Sequence, residues 1–121
     1  MTHTLKRDDL ANFYGSENWY RHGLVRSVLF TDGAKYVADA GGAYWLLDEI
    51  AFAQKTFKKE LASEDFQLWR LTVREDRCAT LVCEDGNGRV ILSKLIPYTD
   101  FPLDEISFYY SNKVILLPSE Y

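Results

Sequence analysis

Apolar residues recur at helical spacing through the first half of the chain and alternate with polar ones from Phe66 onward. The pattern predicts helices followed by strands. The densest helical stretch is Ala43 to Gln54, apolar around most of its circumference and preceded by Gly41 and Gly42. Such a helix must be covered on nearly every side, so it is expected at the centre of the fold. Its inner stripe is Ala43, Leu46, Leu47, Ile50, Ala53 and Phe57; Trp45 and Phe52 point elsewhere and need a second cover. The double glycine allows a tight reversal from a preceding helix. That helix starts at Thr31, whose hydroxyl can cap orphan amides beside Asp32, and runs to about Ala40 with Tyr36, Val37 and Ala40 inward. A shorter one, capped by Thr4 and stopped by Gly15, docks through Leu10, Phe13 and Tyr14. Between these two, Trp19 to Phe30 is either extended throughout or carries a strand from about Val25 to Phe30.

In the second half, Trp69, Leu71 and Val73 share one strand face and Arg70, Thr72 and Arg74 the other. After a return at Glu75-Asp76-Arg77, a second strand turns Ala79, Leu81 and Cys83 inward. Glu84 to Arg89 holds two glycines and an asparagine, residues suited to the positive φ of a hairpin turn, and leads into a strand from Val90 to Ile96 that Pro97 stops. Thr99-Asp100-Phe101-Pro102 is a rigid connection, with Thr99 or Asp100 able to bond nearby amides. A last hairpin pairs Ile106 to Tyr110 with Val114 to Leu117. Its large residues on both faces predict helices on one side and the amino-terminal segment, a domain mate or a second copy on the other. The expected fold class is α+β: amino-terminal helices packed on an antiparallel sheet of about five strands, from hairpins 66–84, 78–96 and 106–117. A chain of 121 residues fits one domain over 1–121. No repeat or linker interrupts it.

A net charge of −4 argues against an electrostatic grip on nucleic acid, because phosphate neutralisation needs clustered Lys and Arg. Lys55, Lys58 and Lys59 read as the solvated end of a helix. Arg70, Arg74 and Lys94 with Tyr109 could form a weak basic face for single strands, though solvated strands often carry that mixture. No run approaches membrane-spanning length and the first residues lack an apolar leader core, so no membrane contact and a cytoplasmic location are expected. Cys78 and Cys83, five apart on an extended segment, would point to opposite faces and share neither a disulfide nor a metal. With two histidines and two cysteines, no zinc site is expected, no calcium-loop pattern is present, and no cofactor is implied.

Candidate chemistry rests on a few residues. His22 could act as a base or proton switch with Asp32, Asp48 or Asp100, yet no Ser or Cys stands near it in a nucleophile motif. Tyr44 and Trp45 are one helical turn from Asp48 and Glu49, a set able to grip an amine or sugar or to raise an acid's pKa. The plainer reading is an acid bonding a tyrosine hydroxyl at the edge of the core. Gly86-Asn87-Gly88 lacks the Lys-Ser or Lys-Thr that closes a phosphate cradle and joins strand to strand, so it reads as a turn.

The segments Glu17-Asn18-Trp19-Tyr20-Arg21-His22, Ala43-Tyr44-Trp45-Leu46-Leu47-Asp48, Glu84-Asp85-Gly86-Asn87-Gly88, Thr99-Asp100-Phe101-Pro102-Leu103 and the final Leu117-Pro118-Ser119-Glu120-Tyr121 resemble a small bacterial family of unknown function. The resemblance covers nearly the whole chain. It implies a short, self-contained protein from bacteria, in settings that suggest plasmids or phage, and it brings no activity, cofactor or partner. Two readings follow. The first is a non-enzymatic binding or accessory protein that self-associates or holds a protein partner through Trp19, Tyr20, Tyr44 and Trp45 or through the last hairpin. The second is a small hydrolase-like acid–base enzyme using His22 with a nearby carboxylate.

Overall fold

The helical and alternating segments sort into a helix layer lying on one face of a seven-stranded sheet. The structure, a computed structural model, describes residues 5–10, 12–13 and 18–121. In chain order the elements are α1 (Arg7–Leu10), β1 (Trp19–Arg21), β2 (Leu29–Thr31), α2 (Asp32–Gly41), α3 (Tyr44–Thr56), α4 (Lys58–Leu61), β3 (Phe66–Val73), β4 (Ala79–Glu84), β5 (Val90–Ile96), β6 (Glu105–Ser111) and β7 (Val114–Leu116). A 3-10 turn, Pro118–Glu120, closes the chain. The strand order is β1-β2-β7-β6-β3-β4-β5, antiparallel throughout except where β2 runs parallel to β7.

The three expected hairpins form as β3–β4, β4–β5 and β6–β7. The expectation of about five strands is corrected to seven by β1 and β2. Each has three residues, too few for alternation to be read, and β2 joins the sheet through a parallel partner at the far end of the chain. The strand expected from Val25 begins only at Leu29, because Val25 belongs to the loop between β1 and β2. Of the first expected helix, Thr4, Tyr14 and Gly15 lie outside the described residues; Leu10 and Phe13 are half-buried against the core as anticipated.

Thr31 caps α2 as its sequence position predicts, its hydroxyl accepting the Ala34 amide. The two glycines that end this helix do different work. Gly42 takes φ 62, the left-handed conformation of a helix stop, and the amides of Gly42 and Ala43 both reach the Ala38 carbonyl. Gly41 is needed for close approach: a Cβ there would stand 2.9 Å from the Phe101 ring and 3.1 Å from Leu5. Phe101 is fully buried, and Arg77 holds its loop by donating to the carbonyls of Thr99 and Phe101, while the Thr99 hydroxyl accepts the Phe101 amide.

On α3, Ala43, Leu46, Leu47, Ile50 and Ala53 are buried as expected, and Ala51 joins them. Phe57 does not. It is 42% exposed because α3 ends at Thr56 and the φ of −113° at Phe57 offsets the following turn, so that Leu61 of α4 fills the core instead. The expectation of cover on nearly every side is also corrected. Tyr44 and Phe52 are exposed and Trp45 is half-buried, because α2 and the sheet enclose the aliphatic stripe and leave the ring-bearing side at the surface.

The last residues fasten both layers. The Glu120 carboxylate accepts the Thr31 hydroxyl at 2.6 Å, the Leu117 amide at 2.9 Å and the Gly33 amide at 3.1 Å, placing a negative charge on the amino-terminal end of α2. Gly33 leaves the room: a Cβ there would lie 2.4 Å from Glu120 Oε1. Glu120→Ala should therefore lower stability by about 2 kcal/mol in urea denaturation, the cost of losing charge-assisted hydrogen bonds at a helix end. Gly33→Ala should stay destabilising even in a Glu120→Ala background, since its Cβ would also stand 2.8 Å from the buried Leu117 side chain.

Candidate functional site

The loop between β1 and β2 must satisfy its own amides, and His22 does this. Its buried ring accepts the Val25 amide at 2.9 Å and the Leu24 amide at 3.2 Å on Nδ1, while Nε2 stands 2.7 Å from Asp48 Oδ1 on α3. Two N–H groups aimed at Nδ1 require a lone pair there, so the ring hydrogen sits on Nε2 and is donated to Asp48. Phe52, one turn beyond Asp48, meets the imidazole edge-on with centroids 5.8 Å apart. Both ring nitrogens are committed, and the result is a staple that ties the loop to α3. Of the three acids considered as partners for His22, Asp48 alone bonds its ring.

Asp32 instead accepts the Tyr20 hydroxyl at 3.0 Å and the Asn18 amide at 3.2 Å. Asp100 is exposed in the loop fastened by Arg77. A polar chain continues along the open face of α2. Lys35 lies over the Tyr20 ring at 5.5 Å and pairs with Asp39 at 2.7 Å, and Asp39 also accepts the Tyr44 hydroxyl. The hydrogen bond to Asp32 raises the Tyr20 phenol above its ordinary value. Asp39 raises the Lys35 ammonium, and Lys35, followed by Tyr44, holds the Asp39 carboxyl below the usual range. Burial, then the bond to Asp39, raises Tyr44. Each phenol stays protonated at neutral pH, which suits donors that organise a surface. The depressed Asp39 carboxyl stabilises the fold above its unfolded pKa, near 4, and that contribution disappears as pH falls through the lower folded value.

The four aromatics considered for binding do not converge. Tyr20 and Tyr44 end the chain just described, and Trp45 packs against the core. Trp19 is on the other side of the sheet, 63% exposed, at the rim of a groove of about 280 Å³ that Leu116, Val114 and Tyr121 also line. Beside it, Phe66, Tyr109 and Tyr121 form a mutual edge-to-face set with centroids 4.7, 5.4 and 5.2 Å apart. That set was not anticipated. Its members lie far apart in sequence, and the only signal was the last hairpin's large residues on both faces.

The weak basic face does not form: strand register puts Lys94 on the helix side, where it pairs with Glu49, and Arg70 on the outer side, where it pairs with Glu84. Cys83 is buried, which pushes its thiol up to about 12 and keeps it neutral, and Cys78 is half-buried; both are free. Among the described residues no group of three His, Cys, Asp or Glu side chains gathers as a metal site, and no helix is long and apolar enough to cross a membrane.

The chain belongs to a family of unknown function, DUF6876, whose model matches residues 4–121. Comparison with curated proteins and comparison with solved structures give no match.

The staple geometry has a direct spectroscopic consequence. Long-range proton–nitrogen correlation spectra should show His22 as the neutral Nε2–H tautomer. His22→Phe should cost about 2 kcal/mol in chemical denaturation, because two loop amides lose their acceptor. Asp48→Asn, which keeps an acceptor oxygen, should cost clearly less.

Proposed function

We propose that this protein is a single-domain, non-enzymatic binding protein of the bacterial cytoplasm that works as a homodimer, with the outer face of the sheet as its contact surface. One observation carries the reading. Helices lie on one face of the sheet, while the other presents Trp19, Val114, Leu116 and Tyr121 on a groove, with the Tyr109 ring packed against Tyr121 beside it. A monomer seldom leaves such a contiguous patch to water.

A second copy fits better than a charged partner. The outer-face ions compensate one another within the chain, Arg70 pairing with Glu84 at 3.0 Å and reaching Glu105 at 4.0 Å. What remains is largely uncharged, and an uncharged patch can meet itself across a two-fold axis without opposing like charges. Size agrees as well. With ordinary strand spacings, seven strands span roughly 29 Å and the longer strands roughly 20 Å, on the scale of the ~800 Å² per partner of a standard interface. The acid–base alternative needs an imidazole nitrogen open to substrate, and the commitments of His22 favour the binding reading over it. Encoding on a mobile element is part of the same proposal and rests on the family resemblance alone.

Light scattering on the purified chain should give the mass of a dimer at micromolar concentration. Trp19→Arg should give a folded monomer, since an exposed residue is replaced and no core contact is lost. A wild-type monomer at all concentrations, or a dimer indifferent to Trp19→Arg, would reject the proposal.

A further inference from the structure

A second concavity, of about 530 Å³, opens at the end of the molecule where α3 and α4 meet the β6–β7 turn. Its size is that of a small-molecule site. On its lining is Tyr110, whose side chain is held in the core with 9% of the residue exposed and whose hydroxyl has no hydrogen-bond partner among the described residues. The hydroxyl is not sealed in the core, so it is reachable from the cleft. Burial raises the phenol above the ordinary tyrosine value, so it remains a donor at neutral pH.

One wall of the cleft is held by a network of side-chain hydrogen bonds. Gln67, opposite Tyr110 in the β3–β6 register and 1% exposed, exchanges two amide hydrogen bonds with Gln54 at 2.9 and 3.1 Å and accepts the Trp69 indole N–H at 2.9 Å. Lys55, Lys58 and Lys113 line the same cleft, and none of them makes an ion pair among the described residues. Lys113 is presented by the turn itself, where Asn112 and Lys113 both take positive φ. Glu64 and Asp65 lie on the same rim. A solvent-reached phenol donor without a protein partner and three unpaired ammonium groups line one cleft, a set that suits an anion. Three cations suit a dianion better than a single carboxylate, and the two rim acids can accept hydrogen bonds from hydroxyl groups on an organic moiety.

We propose that this cleft binds a small hydroxylated phosphate monoester, its phosphate held by Lys55, Lys58 and Lys113 and receiving a hydrogen bond from the Tyr110 hydroxyl. The cleft meets the groove beside Trp19 at Asn112, which lines both, while Tyr110 and the three lysines line the cleft alone.

The test is a titration of the full chain with glycerol phosphate, followed by amide proton–nitrogen spectra. Saturable shifts should appear at Gln67, Tyr110 and Lys113. Tyr110→Phe should weaken binding at least ~10-fold, the effect of a hydrogen bond to a charged group, while its urea midpoint stays at or above wild type because no internal bond is lost. Lys58→Ala combined with Lys113→Ala should abolish saturation. Absence of saturable shifts, or unchanged affinity in Tyr110→Phe, would overturn the site. Equal response to acetate would overturn the phosphate assignment, and tighter binding of inorganic phosphate than of glycerol phosphate would overturn the ester.

Discussion

A sheet has two faces, and the helices of this chain cover only one of them. Gly41 and Gly42 set that constraint. The left-handed Gly42 folds α3 back beside α2, and the bare Gly41 lets Phe101 close the end of the helix layer. Both helices then belong to the same side, where Leu46, Leu47 and Ile50 meet Trp69, Leu71 and Phe108 in one core. Among the described residues the opposite side of the sheet is finished by side chains, with the Tyr121 ring packed on Phe66 and Tyr109.

The chain ends explain how a sheet assembled from distant segments holds its register. Parallel pairing of β2 with β7 brings residue 29 beside residue 114, a contact that costs loop-closure entropy and has few backbone bonds of its own. Glu120 offsets that cost by reaching from beyond β7 to Thr31 and Gly33 at the start of α2. His22 does the corresponding service at the other end of β2, fastening the preceding loop to α3. Polar side chains that would attract attention as reagents are thereby committed to positioning backbone.

This division explains what the sequence could and could not reveal. Long periodic segments were legible: the Leu46–Ile50 stripe, the alternation from Phe66 to Val73 and the glycine turn at 84–89 are local patterns with local causes. Three-residue strands, the loss of Phe57 from its stripe and the meeting of Phe66 with Tyr109 and Tyr121 were not, because each is decided by partners remote in sequence or by a single dihedral. The candidate residues were legible as names and not as a constellation. His22 and Asp48 do meet, but the two amides on Nδ1 that make the pair a staple cannot be read from residue type. Trp19 and Tyr20, adjacent in sequence, lie on opposite sides of the sheet because strand neighbours always do.

In the proposed dimer a second copy of the chain covers the open face of the sheet. Isotope-filtered NMR on a mixture of labelled and unlabelled protein tests it at the level of individual rings. The account predicts intermolecular contacts from Trp19, Tyr109 and Tyr121. Intermolecular contacts confined to the helix side around Tyr44 and Phe52, or to the β5 edge, would contradict it.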